Sequence, residues 1–518
     1  LKGFASTLIL DSTPGNKTFT AVISTEGDNT GTLQVKGANT YTIANAVGAN
    51  GDALSSVTIA DSSNATFSSS VYANSLTVGS GTTTFNANVT GALALGSTGS
   101  TVAFGDGVTM TGAITNSSGA ATGTINASGD FTATSTIGDS GNGAISTFNV
   151  GADNKVIAFN NDAYITTFAF GGNAGSSLVL SDGKKLTGNI TAGGSSKGII
   201  DASTNSATVD GNIGGSGASV ANIKIGTANA AKVFTASGDV YSTAISLSNA
   251  DSELVFGKDN MLVTGAFVLG GNEYGILTVS NSGTIVGQSG TAGTAIKAAN
   301  IASGKSLTLS GGNSSIKSVN LATNTASIIL GGSVNHTVTI GTAFDPATND
   351  GTLGLTGSAT RTINATFGTG ANSFKQVNLG GTGLNTFASG SDKQYIKTLT
   401  FIGEEASQAT FAGGATVANA INFTAASQAL TFNKSSTLTG GANFKGFAGT
   451  ITVDSAAGNN TFNGALTTTT TDTGTLAITG GANTVTIAKA VGGSGKLLSS
   501  VTIADSTNAT FSEAVYAT

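Results

Sequence analysis

LKGFASTLILDSTPGNKTFT at residues 1–20 returns as FKGFAGTITVDSAAGNNTFN at residues 444–463. The echo continues. SSVTIADSSNATF at 55–67 reappears at 499–511 with a single difference, Ser63 against Thr507. The offset is 443 up to Gly31 and Gly474 (474 − 31) and 444 from Asn39 and Asn483 (483 − 39), so one residue has been inserted between them. The chain therefore divides into one long unit, residues 1–443, and the start of a second copy, residues 444–518, equivalent to 1–74. A self-contained globular enzyme has no reason to begin its first turn again, whereas an array does, because each unit buries the face of its neighbour. Together with a start at Leu1 that shows no basic segment or apolar leader, the echo suggests a window on a longer polypeptide.

Composition narrows the fold. Charged residues make up 9% of the 518, against about 25% in ordinary globular chains. Glycine is 75 of 518, proline only 2, and tryptophan and cysteine are absent. A hydrophobic content of 39% is too high for disorder. Polarity comes from Thr, Ser, Asn and Gly. Threonine suits a pleated strand, and Gly and Asn suit tight turns. Apolar triplets such as Leu8-Ile9-Leu10, Val57-Thr58-Ile59 and Leu307-Thr308-Leu309 sit in segments of three to six residues bounded by turn formers. Helical periodicity is almost absent.

A shorter phrase recurs as STVAFGDGVTMTGAI (100–114), SSLVLSDGKKLTGNI (176–190), SELVFGKDNMLVTGAF (252–267) and SQALTFNKSSTLTGG (427–441). Each has a strand, a polar turn, then a second strand closing on Thr-Gly at Gly112, Gly188, Gly265 or Gly440. Such a corner is expected on one side of a repeatedly wound coil. Phe67, Phe85 and Phe104 lie 18 and 19 apart, and Phe131 and Phe148 lie 17 apart. The expected architecture is all-β: a right-handed parallel β-helix (β-solenoid) of ~20-residue irregular coils, about 26 in number, stacked at roughly 4.8 Å. Phenylalanines would form inner ladders and hydroxyl and amide side chains outer ones. The rival is a string of immunoglobulin-like sandwiches, against which stand the missing tryptophan and the missing repeat of about 100 residues.

Signs of chemistry are sparse. The net charge of −6 and the single arginine, Arg361, argue against nucleic acid. No run of 18 apolar residues would span a membrane as a helix. His336 is the only histidine and by alternation shares a face with Val334, Val338 and Ile340, so no Ser-His-Asp unit or histidine metal site is expected. Glu404 and Glu405 are adjacent and point to opposite faces. Asp251 with Glu253, and Asp392 with Gln394 beside Lys393 and Tyr395, read as solvated turns. Asp106-Gly107, Asp182-Gly183 and Gly257-Lys258-Asp259 read as turn chemistry rather than calcium loops. Gly214-Gly215-Ser216-Gly217 lacks the lysine and helix of a phosphate loop. The five threonines at 467–471 lack the regularity of an ice-binding array. No catalytic, cofactor or metal residue is assigned, and no enzymatic activity is expected.

The Gly/Thr/Ser/Asn-rich wording, the Thr-Gly corners and phrases such as GTAGTAIKAANIASGKSLTLSGG (290–312) resemble passenger domains of large bacterial autotransporters, in particular the rickettsial surface cell antigens and outer membrane protein B. The resemblance is one of style over nearly the whole chain, without a diagnostic motif. It implies an extracellular β-solenoid at the bacterial surface, a coat layer, fibre or sheath made by self-association. An adhesin binding a host cell or substrate is the second reading, and a polysaccharide-active β-helix a distant third.

Overall fold

A computed structural model describes the chain except residues 2–5, 118–120, 142, 292, 324, 333–335, 341–350, 369–372, 389–392 and 404–405. The chain is an all-β parallel β-solenoid of about 21 turns of about 23 residues. The coils are longer and fewer than the spacing of the early phenylalanines suggests. Among the described residues there is no helix. The chain divides into two compact units, Leu1–Leu254 and Val255–Thr518.

Within the first unit two long parallel ladders run side by side. One begins Thr7–Asp11, Thr30–Lys36, Leu54–Ile59, Val71–Val78, with Leu33 opposite Val57 and Val57 opposite Leu76. The other begins Lys17–Phe19, Thr40–Ile43, Asn64–Phe67, Gly81–Phe85, Ser100–Phe104. A short third side is held by single bridges such as Ile23 to Val47 and Val47 to Val71. Side chains alternate inward and outward, so Thr40–Ile43 reads half-buried, buried, half-buried, buried. Antiparallel contact is confined, among the described residues, to tight hairpins such as Ala49 with Asp52, which is incompatible with sandwich modules.

Phenylalanine lines the core as expected. Phe67, Phe85 and Phe104 are in register, with ring centroids 5.1 and 5.9 Å apart. The column continues through Phe131, Phe148 and Phe168 at 4.6, 5.7 and 5.3 Å. In the second unit Phe387, Phe411 and Phe432 stack at 4.6 and 5.3 Å. Such pairs are worth about 0.5–1.5 kcal/mol each beyond the area they bury. On the outside, the Thr32 and Ser56 hydroxyls meet at 3.1 Å, and Asn149 donates to Asn126 at 2.9 Å.

The recurring phrase does not mark one side of the coil. Phe104 ends a strand in the second ladder, paired with Gly81–Phe85 and Thr122–Ala127. Leu180 ends one in the first, paired with Val156–Phe159 and Ile199–Ala202. The phrase is a strand-turn-strand unit that the coil can place on either ladder, because both have the same inward-outward period.

The duplicated sequence builds the same structure twice. In the first unit Leu8 faces Leu33 and Leu33 faces Val57; in the second, Ile451 faces Leu476 and Leu476 faces Val501. Asn39 donates to the Ser12 carbonyl at 2.9 Å, and its counterpart Asn483 donates to that of Ser455 at 2.8 Å. The inserted residue falls in the corner at Gly480-Gly481, outside both flanking strands, Thr475–Thr479 and Thr484–Ile487. The sequence boundary at 443/444 is no structural break: Ala429–Asn433 pairs with Thr450–Asp454 across it.

Candidate binding groove on the bulged corner

The Thr-Gly signal marks a real device. The strand Val71–Val78 turns from the short side of the coil onto the first ladder, and its register with the next coil shifts between Tyr72 and Ser75. Gly91 lies against this bulge with φ +134°, and a Cβ there would sit 1.8 Å from the Ala73 carbonyl oxygen. Gly112, in the following coil, has φ +127°, and its Cβ would sit 2.2 Å from the Gly91 oxygen. Only glycine permits this stacking, and the glycine track leaves a strip of corner with no side chains to fill it.

A second recurring element flanks the strip. Val47-Gly48-Ala49-Asn50-Gly51-Asp52 forms a tight hairpin in which Ala49 and Asp52 exchange backbone hydrogen bonds of 3.1 and 3.0 Å. Tyr72 N donates to the Val47 oxygen at 2.7 Å, and a Cβ on Gly48 would lie 2.3 Å from the Tyr72 oxygen. Ile213-Gly214 beneath Tyr241 repeats this in the first unit with the same 2.7 Å bond, and Val491-Gly492 beneath Tyr516 does so in the second. The sequence signal is an apolar residue and glycine followed about 25 residues later by tyrosine, [IV]-G…[VA]-Y. It is too sparse to stand out among 75 glycines.

Together the hairpin, the bulge and the glycine track enclose a groove of about 580 Å³ spanning several coils. Its lining includes Asp28, Asn50, Tyr72, Asn74, Thr90 and Thr111, with Tyr72, Thr90 and Thr111 in register on successive coils. Tyr72 is half-buried, while Asn50, Asn74 and Thr111 are exposed. The side chains of Tyr72, Asn74, Asn50, Thr90 and Thr111 make no hydrogen bond to other described residues. Elsewhere outward asparagines are used up between coils: Asn16, Asn64 and Asn88 each accept a backbone N–H from the next coil at 2.8–2.9 Å. The carboxylate of Asp28 accepts from the Asn29 and Ala53 amides, each at 3.1 Å.

The remaining sequence candidates are structural or dispersed. Asp106, Asp182 and Asp259 staple coils. Each accepts a backbone N–H from the next coil (Asp130 2.7 Å, Ser206 2.8 Å, Ser282 2.9 Å) and faces a lysine from the coil after that (Lys155 2.9 Å, Lys232 3.6 Å, Lys305 2.8 Å). Lys155 and Lys305, then the staple amides, hold Asp106 and Asp259 below the usual carboxylate range; for Asp182 the Ser206 amide leads. Arg361 is fully buried. Its guanidinium donates to Asn385 at 3.1 Å and to the carbonyls of Gly332 and Thr356, and burial pushes it down to about 10. The arginine is therefore a core residue with no surface role. His336 pairs with Arg361 along the ladder. Val334, Asp392, Glu404 and Glu405 lie outside the described residues. Asp251 is exposed in a turn two residues before Glu253, which opens a strand. Lys393 donates to Thr437 at 3.1 Å, and Gln394 is buried, accepting from the Phe367 amide at 2.8 Å. The threonine run folds into a closed turn: the Thr468 hydroxyl is buried and meets that of Thr473 at 2.6 Å, as Thr25 meets Thr30 in the first copy. Among the described residues no group of three His, Cys, Asp or Glu converges, and no helix is long and apolar enough to cross a membrane.

The fold and this corner define a parallel β-solenoid protein with a polar surface groove. Comparison with protein-family models, with characterised proteins and with solved structures finds no match.

Proposed function

We propose that the chain is a structural segment of an extracellular bacterial surface protein, a β-solenoid that self-associates into a surface layer, fibre or sheath. The observation that carries this reading is the duplication. A block of some 443 residues, far longer than a coil, restarts with the same register and the same staples. Duplication of a whole block extends a scaffold, since each copy needs only its neighbour to be covered. The Thr/Ser/Asn exterior, with few charges to repel a second copy, supports lateral association. The resemblance to autotransporter passenger domains supports the setting.

Electron microscopy of purified chain at neutral pH tests it. Ordered filaments or sheets that grow with concentration are expected; a monomer across the micromolar range, by sedimentation as well, would overturn the reading. The second reading, an adhesin that displays a receptor-binding face, is favoured by the groove at Tyr72.

A further inference from the structure

We propose that the groove at Tyr72 binds a neutral oligosaccharide, two or three sugar rings lying along the coil stack. Its volume, about 580 Å³, falls within the range of small-ligand sites. Four features select the class. Tyr72 supplies a half-buried aromatic ring, an apolar body with a polar tip, suited to the CH face of a pyranose. Asn50 and Asn74 supply both donors and acceptors, and Thr90 and Thr111 supply hydroxyls, a set that matches vicinal sugar hydroxyls. None of these five side chains is hydrogen-bonded to the protein, so a ligand need break no internal hydrogen bond to engage their polar groups. Among the lining residues the one charged side chain is Asp28, and there is no Lys or Arg. Sulfated and uronic acid sugars are therefore disfavoured, and neutral ones fit.

The geometry is pre-formed. The concavity is dug by Gly91 and Gly112, whose backbones are locked against the coils before them, so no loop must order on binding. The duplicated corner supports a recognition role. Between the two copies, 55–67 differ at one position of thirteen, whereas the nine groove positions present in both differ at six: 28, 29, 49, 50, 53 and 74. Tyr72 and Gly51 are kept as Tyr516 and Gly495. The tyrosine and the turn glycine are held, and four of the six changes, at 28, 29, 50 and 74, alter hydrogen-bonding side chains. The inference rests on the groove alone and is independent of self-assembly, so failure to form filaments leaves it standing.

The test is titration calorimetry with saturation-transfer NMR on the full chain. Chitotriose, cellotriose and N-acetyllactosamine serve as neutral probes, and sialyllactose and a heparin disaccharide as acidic controls. At least one neutral probe is expected to bind at about micromolar to millimolar Kd. Tyr72→Ala and Asn74→Ala should weaken it about tenfold with unchanged thermal melting. Tyr72→Phe should retain binding, and Thr111→Arg, which fills the groove from an exposed position, should abolish it. Were Tyr72→Ala to melt early, Thr111→Arg and Asn74→Ala decide the matter. Absence of binding by all neutral probes, preference for the acidic controls, or binding unaffected by Thr111→Arg would each overturn the proposal.

Discussion

Phenylalanine and glycine set the inside and the corners of this molecule, for opposite reasons. Phe104 is fully buried and stacks on Phe85 and Phe131 at 5.9 and 4.6 Å, so each ring covers the ones before and after it. Phe104→Ala is expected to cost about 3–5 kcal/mol, seen as a lower denaturant midpoint, because the rigid coil cannot close the void. Phe104→Asp, or Phe432→Asp in the second unit, should abolish cooperative melting of the surrounding coils, since each puts an unpaired carboxylate in an aromatic column. Wild-type-like melting of either aspartate variant would contradict the ladder. Phe67, Phe85 and Phe104 were legible in the sequence, because spacings of 18 and 19 residues place them one coil apart; the 17-residue step from Phe131 to Phe148 instead joins two ladders, Phe131 pairing with Ile157 and Phe148 with Phe168. Gly91 and Gly112 were legible only as punctuation. The Thr-Gly ending marks a corner, but that the glycines stack on one another depends on coil lengths that drift, such as 24 between Leu33 and Val57 and 19 between Val57 and Leu76. The single arginine, Arg361, argues in the sequence only against nucleic acid; its burial was not legible, because its acceptors include the Asn385 side chain and the Gly332 carbonyl, 24 and 29 residues away.

At the scale of the element, the corner turns act as staples. Asp106, Asp182 and Asp259 each tie their own coil to the next through a backbone amide and to the second next through a lysine. Their lysine partners and staple amides hold all three carboxyls below the usual carboxylate range. A depressed carboxylate contributes stability that is fully present above its unfolded pKa, about 4, and is lost as pH falls through the folded value. Thermal midpoints should therefore be flat from about pH 5 to 8 and fall below about pH 4. The triple variant D106N/D182N/D259N should show a shallower acid decline, its amide oxygens still accepting the staple bonds. An unchanged acid slope would remove the staples as the cause. All three carboxylates are exposed, so the effect at neutral pH is small. The turn identity of these residues was plain from Asp-Gly and Asp-Asn in sequence; their lysine partners, 46 to 50 residues on, were not, because two coils intervene.

For the whole molecule, the low charge, the lack of cysteine and the lack of helix among the described residues are reconciled with order by coil-on-coil pairing, in which the strands of one coil cover those of its neighbour. That architecture followed from the composition and the 443-residue echo. The groove did not, because its parts come from residues 28 to 135, brought together only by the winding. The register itself is open to direct measurement, since the chain has no cysteine of its own. Thr32 faces Ser56 in the first copy and Thr475 faces Ser500 in the second, with hydroxyls 3.1 and 3.4 Å apart. Cysteine pairs placed at Thr32 with Ser56, and separately at Thr475 with Ser500, should each form an intrachain disulfide on mild oxidation, within the geometric reach of a bridge. A pair at Thr32 with Thr58, two residues out of register, should not. Quantitative bridging in both copies and none in the offset control is the predicted result, and equal bridging of in-register and offset pairs, or none in either copy, would contradict the stacked-coil account.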